Sequence, residues 1–190
     1  KTLTHLAIGI NVNLESGPLN RKPSQPLKVL YFGKLLCLKG IHFALKAFSK
    51  FYQQFPQCCF TIVGSGPDEA WLKEIAKNLL PDSAINWIPW MSQENLMNFY
   101  ATHDVFLFPS LHDSGGMVVL EAMAHGRPVI TLNLGGPGML VNSSCGFLLE
   151  TSQKKEQDIV EEITHSMVQL QNNPILFESL SSGALEQAKR

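Results

Sequence analysis

Two carboxylates, Asp113 and Glu121, flank a pair of glycines in the stretch PSLHDSGGMVVLEAMAHGRPVITLNL, which covers residues 109–134. Glu121 is the only ionisable side chain between Gly115 and Ala124, so it lies in a segment that is apolar nearly all round. Such a segment is typical of a buried helix. Because an unpaired carboxylate is costly to bury, Glu121 needs hydrogen-bond donors from the protein or from a ligand.

The turn before this helix contains Ser114, Gly115 and Gly116. Free N–H groups on the two glycines, at the positive end of the helix dipole, would suit a phosphate group. In the alternative interpretation, Asp113 or Ser114 caps the helix, the glycines allow strand and helix to pack closely, and Glu121 pairs with a Lys or Arg. This stretch alone leaves both interpretations open.

Lys34 and Lys39 lie on a short loop between Gly33 and Gly40. Two ammonium groups on such a loop can neutralise a diphosphate without a metal, which is the charge that a nucleotide leaving group requires. The alternative is that both are solvated surface lysines, which is the commoner state of a lone lysine. Their position after a predicted strand favours the diphosphate interpretation.

Two weaker candidates follow later strands. The turn at residues 64–67, GSGP, lacks the third glycine of a dinucleotide fingerprint and the ending of a P-loop. It predicts a tight turn, with a backbone contact to a ligand at Ser65 as the alternative. Trp90 offers a flat face to a nucleobase, although Trp87 and Trp90 also fit core and rim aromatics, and we expect Trp90 at the rim.

Composition excludes several classes of function. Lys and Arg total 15 against 16 Asp and Glu, so the net charge of −1 provides no basic field for nucleic acid or an anionic membrane. The four cysteines form no C-x-x-C pair, which favours a reduced, cytoplasmic protein without a metal cluster. No apolar run approaches the roughly 20 residues that span a bilayer. The chain begins with Lys1 rather than Met, so we expect a fragment of a longer protein.

Short β-rich runs alternate with amphipathic segments and turns that contain Gly or Pro. This pattern predicts an α/β fold with a doubly wound, Rossmann-like parallel sheet, in which ligands bind at the carboxyl ends of the strands. A turn-rich segment at residues 1–26 is predicted to be a linker. The predicted strands are 29–32, 60–63, 85–88, 105–108, 128–131 and 146–149, and the predicted helices are 41–55, 68–80, 92–100, the apolar segment before Gly126, and two between 154 and 190.

The ordered motifs from about residue 27 onward resemble the C-terminal half of glycosyltransferase family 4 (group 1) enzymes, which have the GT-B fold. VLYFGKLLCLKG resembles the family's basic loop, which ends in Lys-Gly, and CFTIVGSGP resembles its second strand and turn. INWIPWMSQENLMNFYATHDVFLFPS is similar to its middle segment, and LEAMAHGRPVITLNLGGP to its helix, strand and glycine loop. The resemblance implies a nucleotide-sugar-binding domain at residues 27–172, followed by a C-terminal helix at residues 173–190.

The function implied by this resemblance is donor binding in a retaining glycosyltransferase, with a nucleotide-diphosphate sugar as substrate and no obligatory metal or other cofactor. The acceptor site would belong to an N-terminal half that has no counterpart here, as would any peripheral membrane contact. The isolated chain is then expected to bind nucleotide weakly and to transfer nothing. An alternative is a non-catalytic nucleotide-sugar-binding module that retains the fold.

The resemblance also implies roles for individual residues. Glu121 would hold the ribose hydroxyls, and Asp113 stands where the family usually has a Glu that contacts the donor sugar. Gly115 stands where the family commonly has an aromatic residue, which opens space beside the sugar. The implied catalytic residues are Lys34, Lys39 and Asp113, and the implied donor-binding residues are Gly33, Ser65, Trp90, Met91, Ser114, Gly115, Gly116, Met117, Val118 and Glu121.

Overall fold

The computed structural model describes residues 23–190, which form six parallel strands in one sheet and the helices that cover it. The strand order is β3-β2-β1-β4-β5-β6, which confirms the predicted doubly wound α/β fold. The elements are β1 (Lys28–Phe32), α1 (Ile41–Gln54), β2 (Cys59–Val63), α2 (Glu69–Leu79), β3 (Ile85–Ile88), α3 (Gln93–Thr102), β4 (Val105–Phe108), α4 (Met117–Ala124), β5 (Val129–Leu132), α5 (Gly135–Leu140), β6 (Gly146–Leu149), α6 (Glu156–Asn172) and α7 (Pro174–Ala188).

The central strands are apolar on both faces because helices cover both sides of the sheet. Every residue of β4 and of β5 is buried, and so are all residues of β1 except Lys28. Leu30 of β1 pairs with Phe106 of β4, and both side chains are fully buried. The two strands where the chain changes direction across the sheet are therefore held in the interior.

The start of β1 is anchored to the loop before β4. Asp104, which is fully buried, accepts hydrogen bonds from the Ser24 amide at 3.1 Å and from the Lys28 amide at 2.8 Å. This contact fixes the entry of the chain into the sheet. The predicted linker at residues 1–26 lies outside the described residues up to residue 22.

Helix α5 was not predicted. Its sequence, GGPGML, contains three glycines and a proline and shows no helical periodicity, so pattern analysis treats it as a loop. Gly135 has a φ of +56°, and its backbone packs against the Asp113 carbonyl. Because glycine is a poor helix former, we attribute the stability of α5 to the close packing of its backbone against the β4 loop.

Helix α7 packs on α4 and covers the helix that contains Glu121. Its apolar side chains Phe177 and Leu180 are buried, and the Ser181 hydroxyl donates a hydrogen bond to the Gly126 carbonyl at 2.7 Å.

Among residues 23–190, no helix has the length and apolar character that crossing a bilayer requires.

The close approach of α7 to the loop before β6 predicts the effect of a small substitution. A Cβ on Gly183 would overlap the Ser144 carbonyl. Gly183→Ala is therefore expected to lower the free energy of unfolding by about 1–3 kcal/mol, although alanine by itself favours a helix. The measurement is equilibrium unfolding in urea.

The matched control for this prediction is Ser182→Ala, one residue earlier on the exposed side of the same helix. It gains helix propensity without a steric conflict, so it should leave stability unchanged or slightly higher. Equal stability of the two variants would show that α7 does not pack as described.

Candidate functional site

The candidate site lies where the chain reverses its direction across the sheet, between the carboxyl ends of β1 and β4. The connections from β1 proceed to β2 and β3 on one side, and those from β4 proceed to β5 and β6 on the other. In doubly wound sheets, the ligand crevice lies at such a switch point, beside the two loops that follow the central strands. These loops are residues 33–40 after β1 and residues 109–116 after β4.

The β1 loop is fixed directly to the β4 loop. The Leu38 carbonyl accepts hydrogen bonds from the amides of Leu111 at 2.9 Å and His112 at 3.3 Å. Gly40 adopts a φ of +68°, and its Cα lies so close to the Pro109 carbonyl that a Cβ would overlap it. The two loops therefore form one rigid edge of the crevice.

The turn after β2 supports the β1 loop from the other side. The amide of Leu35 donates to the Ser65 carbonyl at 3.0 Å, and the amide of Cys37 donates to Asp68 Oδ2 at 2.7 Å. The turn lies later than the predicted residues 64–67, because the Glu69 amide donates to the Gly66 carbonyl at 3.2 Å, and the carbonyl of Ser65 is used within the protein. Asp68 was not identified from the sequence, because an acid near the start of a helix is usually a simple cap.

Lys39 and Asp113 form an ion pair that joins the two loops. Lys39 Nζ lies 2.6 Å from Asp113 Oδ2 and 3.0 Å from the His112 carbonyl oxygen, to which it donates. The side chains are only 18% and 20% exposed, so solvent screens this pair less than a surface pair. The structure thus brings together two of the three predicted catalytic residues.

The other oxygen of Asp113 binds the turn that precedes α4. Asp113 Oδ1 accepts hydrogen bonds from the amides of Gly116 at 2.7 Å and Gly115 at 3.2 Å. The prediction that these two N–H groups are free for a phosphate is therefore wrong, because Asp113 occupies both. The short Asp side chain folds back onto the amides that follow it, as Asp commonly does in turns. The N–H groups of Met117 and Val118 remain at the first turn, where no carbonyl of the helix can accept them.

The electrostatic environment of Asp113 favours its ionised form. Burial by itself raises the pKa of this carboxyl group, but the Lys39 ammonium and the amides of Gly116 and Gly115 together hold the pKa below its ordinary value. The charge on Asp113 is therefore part of the folded state at neutral pH.

Glu121 is buried on α4, with 6% of its surface exposed. The hydroxyl of Tyr100 lies 3.2 Å from Glu121 Oε2 and 3.3 Å from the Val118 carbonyl, and it can donate to either. The buried carboxylate thus has a neutral hydrogen-bond donor at its side, as its burial requires. Tyr100 was missed from the sequence because it lies at the end of α3, and only the folded chain brings it to α4.

Tyr100 and His125 form a polar cluster behind Glu121. Burial, and then the charge of Glu121, raise the pKa of Tyr100 well above its ordinary value, so the phenol keeps its proton. The ring of His125 stacks on Tyr100 with centroids 5.1 Å apart, and its Nδ1 donates to the Glu121 carbonyl at 2.8 Å. Burial lowers the pKa of His125, which favours a neutral ring with its proton on Nδ1. Tyr100 therefore contacts the side-chain carboxylate of Glu121, and His125 contacts its main-chain carbonyl.

Three further predicted residues, Trp90, Met91 and Lys34, differ in their exposure. Trp90 is 54% exposed and stacks on Phe32 with ring centroids 4.9 Å apart, which confirms the expected rim position. Met91 is half-buried against the core. Lys34 is exposed on the β1 loop, and its carbonyl accepts a hydrogen bond from the Tyr31 hydroxyl at 3.1 Å.

Across the part of the chain that the structure describes, no group of three or more His, Cys, Asp or Glu side chains could hold a metal.

Sequence comparisons identify the family around this site. A model of the family described as glycosyl transferases group 1 matches residues 17–171. An uncharacterized glycosyltransferase of Haemophilus influenzae is 31% identical over 156 residues, which cover 80% of this chain and 42% of that protein. A glycogen synthase of Mycobacterium tuberculosis is 31% identical over 128 residues, which cover 66% of this chain and 31% of that protein. The chain spans less than half the length of these curated relatives.

Solved structures share the fold. The pneumococcal O-GlcNAc transferase GtfA, in complex with UDP and GlcNAc, aligns with a TM-score of 0.78 at 22% identity, over 88% of this chain and 33% of that chain. Anabaena HepE, in complex with UDP-glucose, aligns with a TM-score of 0.74 at 22% identity, over 86% of this chain and 44% of that chain. The C-terminal domain of the group 1 protein LpcC from Francisella tularensis aligns with a TM-score of 0.74 at 22% identity, over 88% of this chain and 86% of that domain. The sheet and its helices are therefore those of a GT-B glycosyltransferase half.

The two glycines before α4 are predicted to differ in their tolerance of a side chain. Gly116 has a φ of +64°, and a Cβ there would lie 2.9 Å from Leu140 Cδ1 and 3.1 Å from the Pro137 nitrogen. Gly116→Ala should therefore lower the free energy of unfolding by about 1–3 kcal/mol. Gly115→Ala is the matched control, because a Cβ there would meet only Met117 Cγ at 3.8 Å. Thermal and urea unfolding compare the variants, and equal losses would contradict the described turn.

The lowered pKa of Asp113 predicts a dependence of stability on pH. A carboxylate whose folded-state pKa lies below its ordinary value, near 3.8, stabilises the fold above that pH. This contribution is lost as the pH falls through the lowered folded-state value. Asp113→Asn should therefore be less stable than the parent chain at about pH 7, and the difference should shrink below about pH 4. Urea unfolding across this range is the measurement, and a difference that stays constant would contradict the assignment.

Proposed function

This chain belongs to the group 1 glycosyl transferases, and we propose that it is the half of such an enzyme that binds a nucleotide-sugar donor. One observation carries the proposal. Helix α4, with the buried carboxylate Glu121, and a loop with two lysines, Lys34 and Lys39, follow β4 and β1, the central strands at the switch point of a doubly wound sheet. A nucleotide-diphosphate sugar offers the complementary groups, which are hydroxyls for the carboxylate and a diphosphate for the cations.

The donor would lie across the carboxyl ends of β1 and β4. Lys34 and Lys39 would face the diphosphate, with the first-turn amides of Met117 and Val118 beside it. Glu121 would accept hydrogen bonds from the ribose hydroxyls. Trp90 and Met91 would lie along the base, and Gly33, Ser65, Ser114, Gly115 and Gly116 would supply backbone to the walls of the crevice.

Tyr100 supports this role for Glu121. A phenol that keeps its proton can donate to one carboxylate oxygen without adding a positive charge. The oxygen that accepts from Tyr100 and its partner oxygen both keep further acceptor positions, which sugar hydroxyls could use.

The transfer that we propose retains the anomeric configuration and passes through an oxocarbenium-like state. The bond between the anomeric carbon and the diphosphate oxygen breaks, the acceptor oxygen forms the new bond to that carbon, and the acceptor's proton passes to the departing diphosphate oxygen. The negative charge that develops on the leaving diphosphate would be stabilised by the lysines and by the start of α4. No residue described in this chain is assigned to the acceptor, which we place in the longer protein's other half.

UDP sugars are the first donors to test. Two of the solved neighbours hold this nucleotide, one as UDP together with GlcNAc and one as UDP-glucose. Titration of the chain with UDP, GDP and ADP, measured by calorimetry, is the direct experiment. Binding of one of these in preference to the others would support the proposal, and the absence of binding by all three would refute it.

A non-catalytic nucleotide-sugar-binding module is the second candidate function. Its supporting observation is the engagement of Asp113 with Lys39 and the turn amides, since the resemblance assigns this position to sugar contact. Sugar transfer by the longer protein would exclude this candidate.

The role of Glu121 predicts the effect of one isosteric substitution. Glu121→Gln keeps the shape of the side chain but removes the charge, so nucleotide binding should weaken by about 1–3 kcal/mol, the size typical of hydrogen bonds to a charged group. The measurement is calorimetric titration with the nucleotide that binds the parent chain best. Glu74→Gln, at an exposed position on α2, is the control and should not change the affinity. An unchanged affinity of a folded Glu121→Gln chain would contradict the assignment.

A further inference from the structure

Asp113 uses most of its hydrogen-bonding capacity within the protein. Its carboxylate accepts from Lys39 Nζ on one oxygen and from the amides of Gly115 and Gly116 on the other. A carboxylate offers roughly four acceptor positions, so three of them are occupied. The Asp113 backbone is fixed as well, because its carbonyl accepts from the Gly136 amide at 2.8 Å. Both the side chain and the main chain of this residue are therefore tied to neighbouring loops.

The same carboxylate compensates the charge of Lys39. The ammonium group lies 2.6 Å from Asp113 Oδ2, and the pair is mostly shielded from solvent. A second anion that approaches Lys39 is attracted by the ammonium and repelled by the carboxylate beside it. The repulsion is significant because charges a few ångströms apart interact strongly where water is partly excluded. Lys34, which is exposed on the same loop, has no such described neighbour among the residues 23–190.

We propose that Asp113 is the counter-ion and positioning residue of Lys39, and that it opposes diphosphate binding rather than holding the donor sugar. It fixes Lys39 and the first turn of α4 while the crevice is empty. When a diphosphate binds, Lys39 shares its donors between the phosphate oxygens and Asp113. This inference rests on the proposed function for its ligand, but the ion pair itself can be tested without any ligand.

The proposal predicts that stability and affinity change in opposite directions in Asp113→Asn. The variant should melt at a lower temperature than the parent chain, because the ion pair is lost. It should also bind the preferred nucleoside diphosphate more tightly, by roughly three- to tenfold, because Lys39 is released from its counter-ion. The corresponding nucleotide sugar should gain by the same factor. The nucleoside monophosphate should gain less, since it carries fewer phosphate charges to the loop.

A double-mutant cycle tests whether the effect passes through Lys39. In a Lys39→Met background, Asp113→Asn should no longer raise the affinity for the diphosphate, and the two substitutions should be non-additive in thermal unfolding of the ligand-free chain. Glu74→Gln controls for the general loss of one negative charge, and it should leave both measurements unchanged.

The outcomes separate this proposal from its rivals. Weaker binding of the nucleotide sugar with unchanged binding of the diphosphate would make Asp113 a sugar ligand and overturn the proposal. Equal weakening of both, in step with stability, would give it a structural role alone and would also overturn it. If none of UDP, GDP and ADP binds, the proposed function fails, while non-additive unfolding would still support the ion pair. Additive unfolding would refute the pair whatever the ligand result.

Discussion

The structure of the crevice depends on close contact between the backbones of loops at one edge of a parallel sheet. The Leu38 carbonyl joins the β1 loop to the β4 loop by hydrogen bonds. A Cβ at Gly40, Gly66 or Gly136 would overlap the backbone of an adjacent segment. Backbone groups packed this tightly have fixed partners and little freedom. The ion pair between Lys39 and Asp113 adds a charged contact across the same junction. The loops that carry these charged groups are thus held by main-chain contacts, and the ion pair joins their side chains.

Burial determines the environment of Glu121, the carboxylate on α4. Helix α4 is apolar nearly all round, so its one carboxylate is surrounded by core. Tyr100 lies within hydrogen-bond distance of that carboxylate, and His125 donates to the main-chain carbonyl of the same residue. Asp113, in contrast, is paired with a cation and lies nearer to solvent. Two carboxylates eight residues apart therefore have different electrostatic roles.

The sequence predicts the strands well because the short apolar runs and the positions of the turns with Gly or Pro agree. Strands β3, β4 and β6 have the predicted bounds, β1 and β2 begin one residue earlier than predicted, and β5 is shifted by one residue. Helix α5 could not be predicted, since its glycines are explained only by contacts with the β4 loop.

The same limit applies to the candidate site, whose contacts the sequence alone does not show. Residue types indicated that Lys39 and Asp113 were important, but not that they touch, and the turn amides assigned to a ligand are taken by Asp113. Tyr100 depends on a contact between distant segments that no local pattern encodes.

The packing of α7 on α4 has a consequence for how this half of the molecule is made. A ribosome releases α4 long before α7, which must return to cover it through Ser181 and the apolar side chains around it. Contacts between segments so far apart in the chain form late, because the intervening residues must lose their freedom for the contact to form. Until α7 has been synthesised, the apolar helix with Glu121 remains without this cover. Nascent chains are then most vulnerable to aggregation and to chaperone capture at the very segment on which nucleotide recognition is proposed to depend.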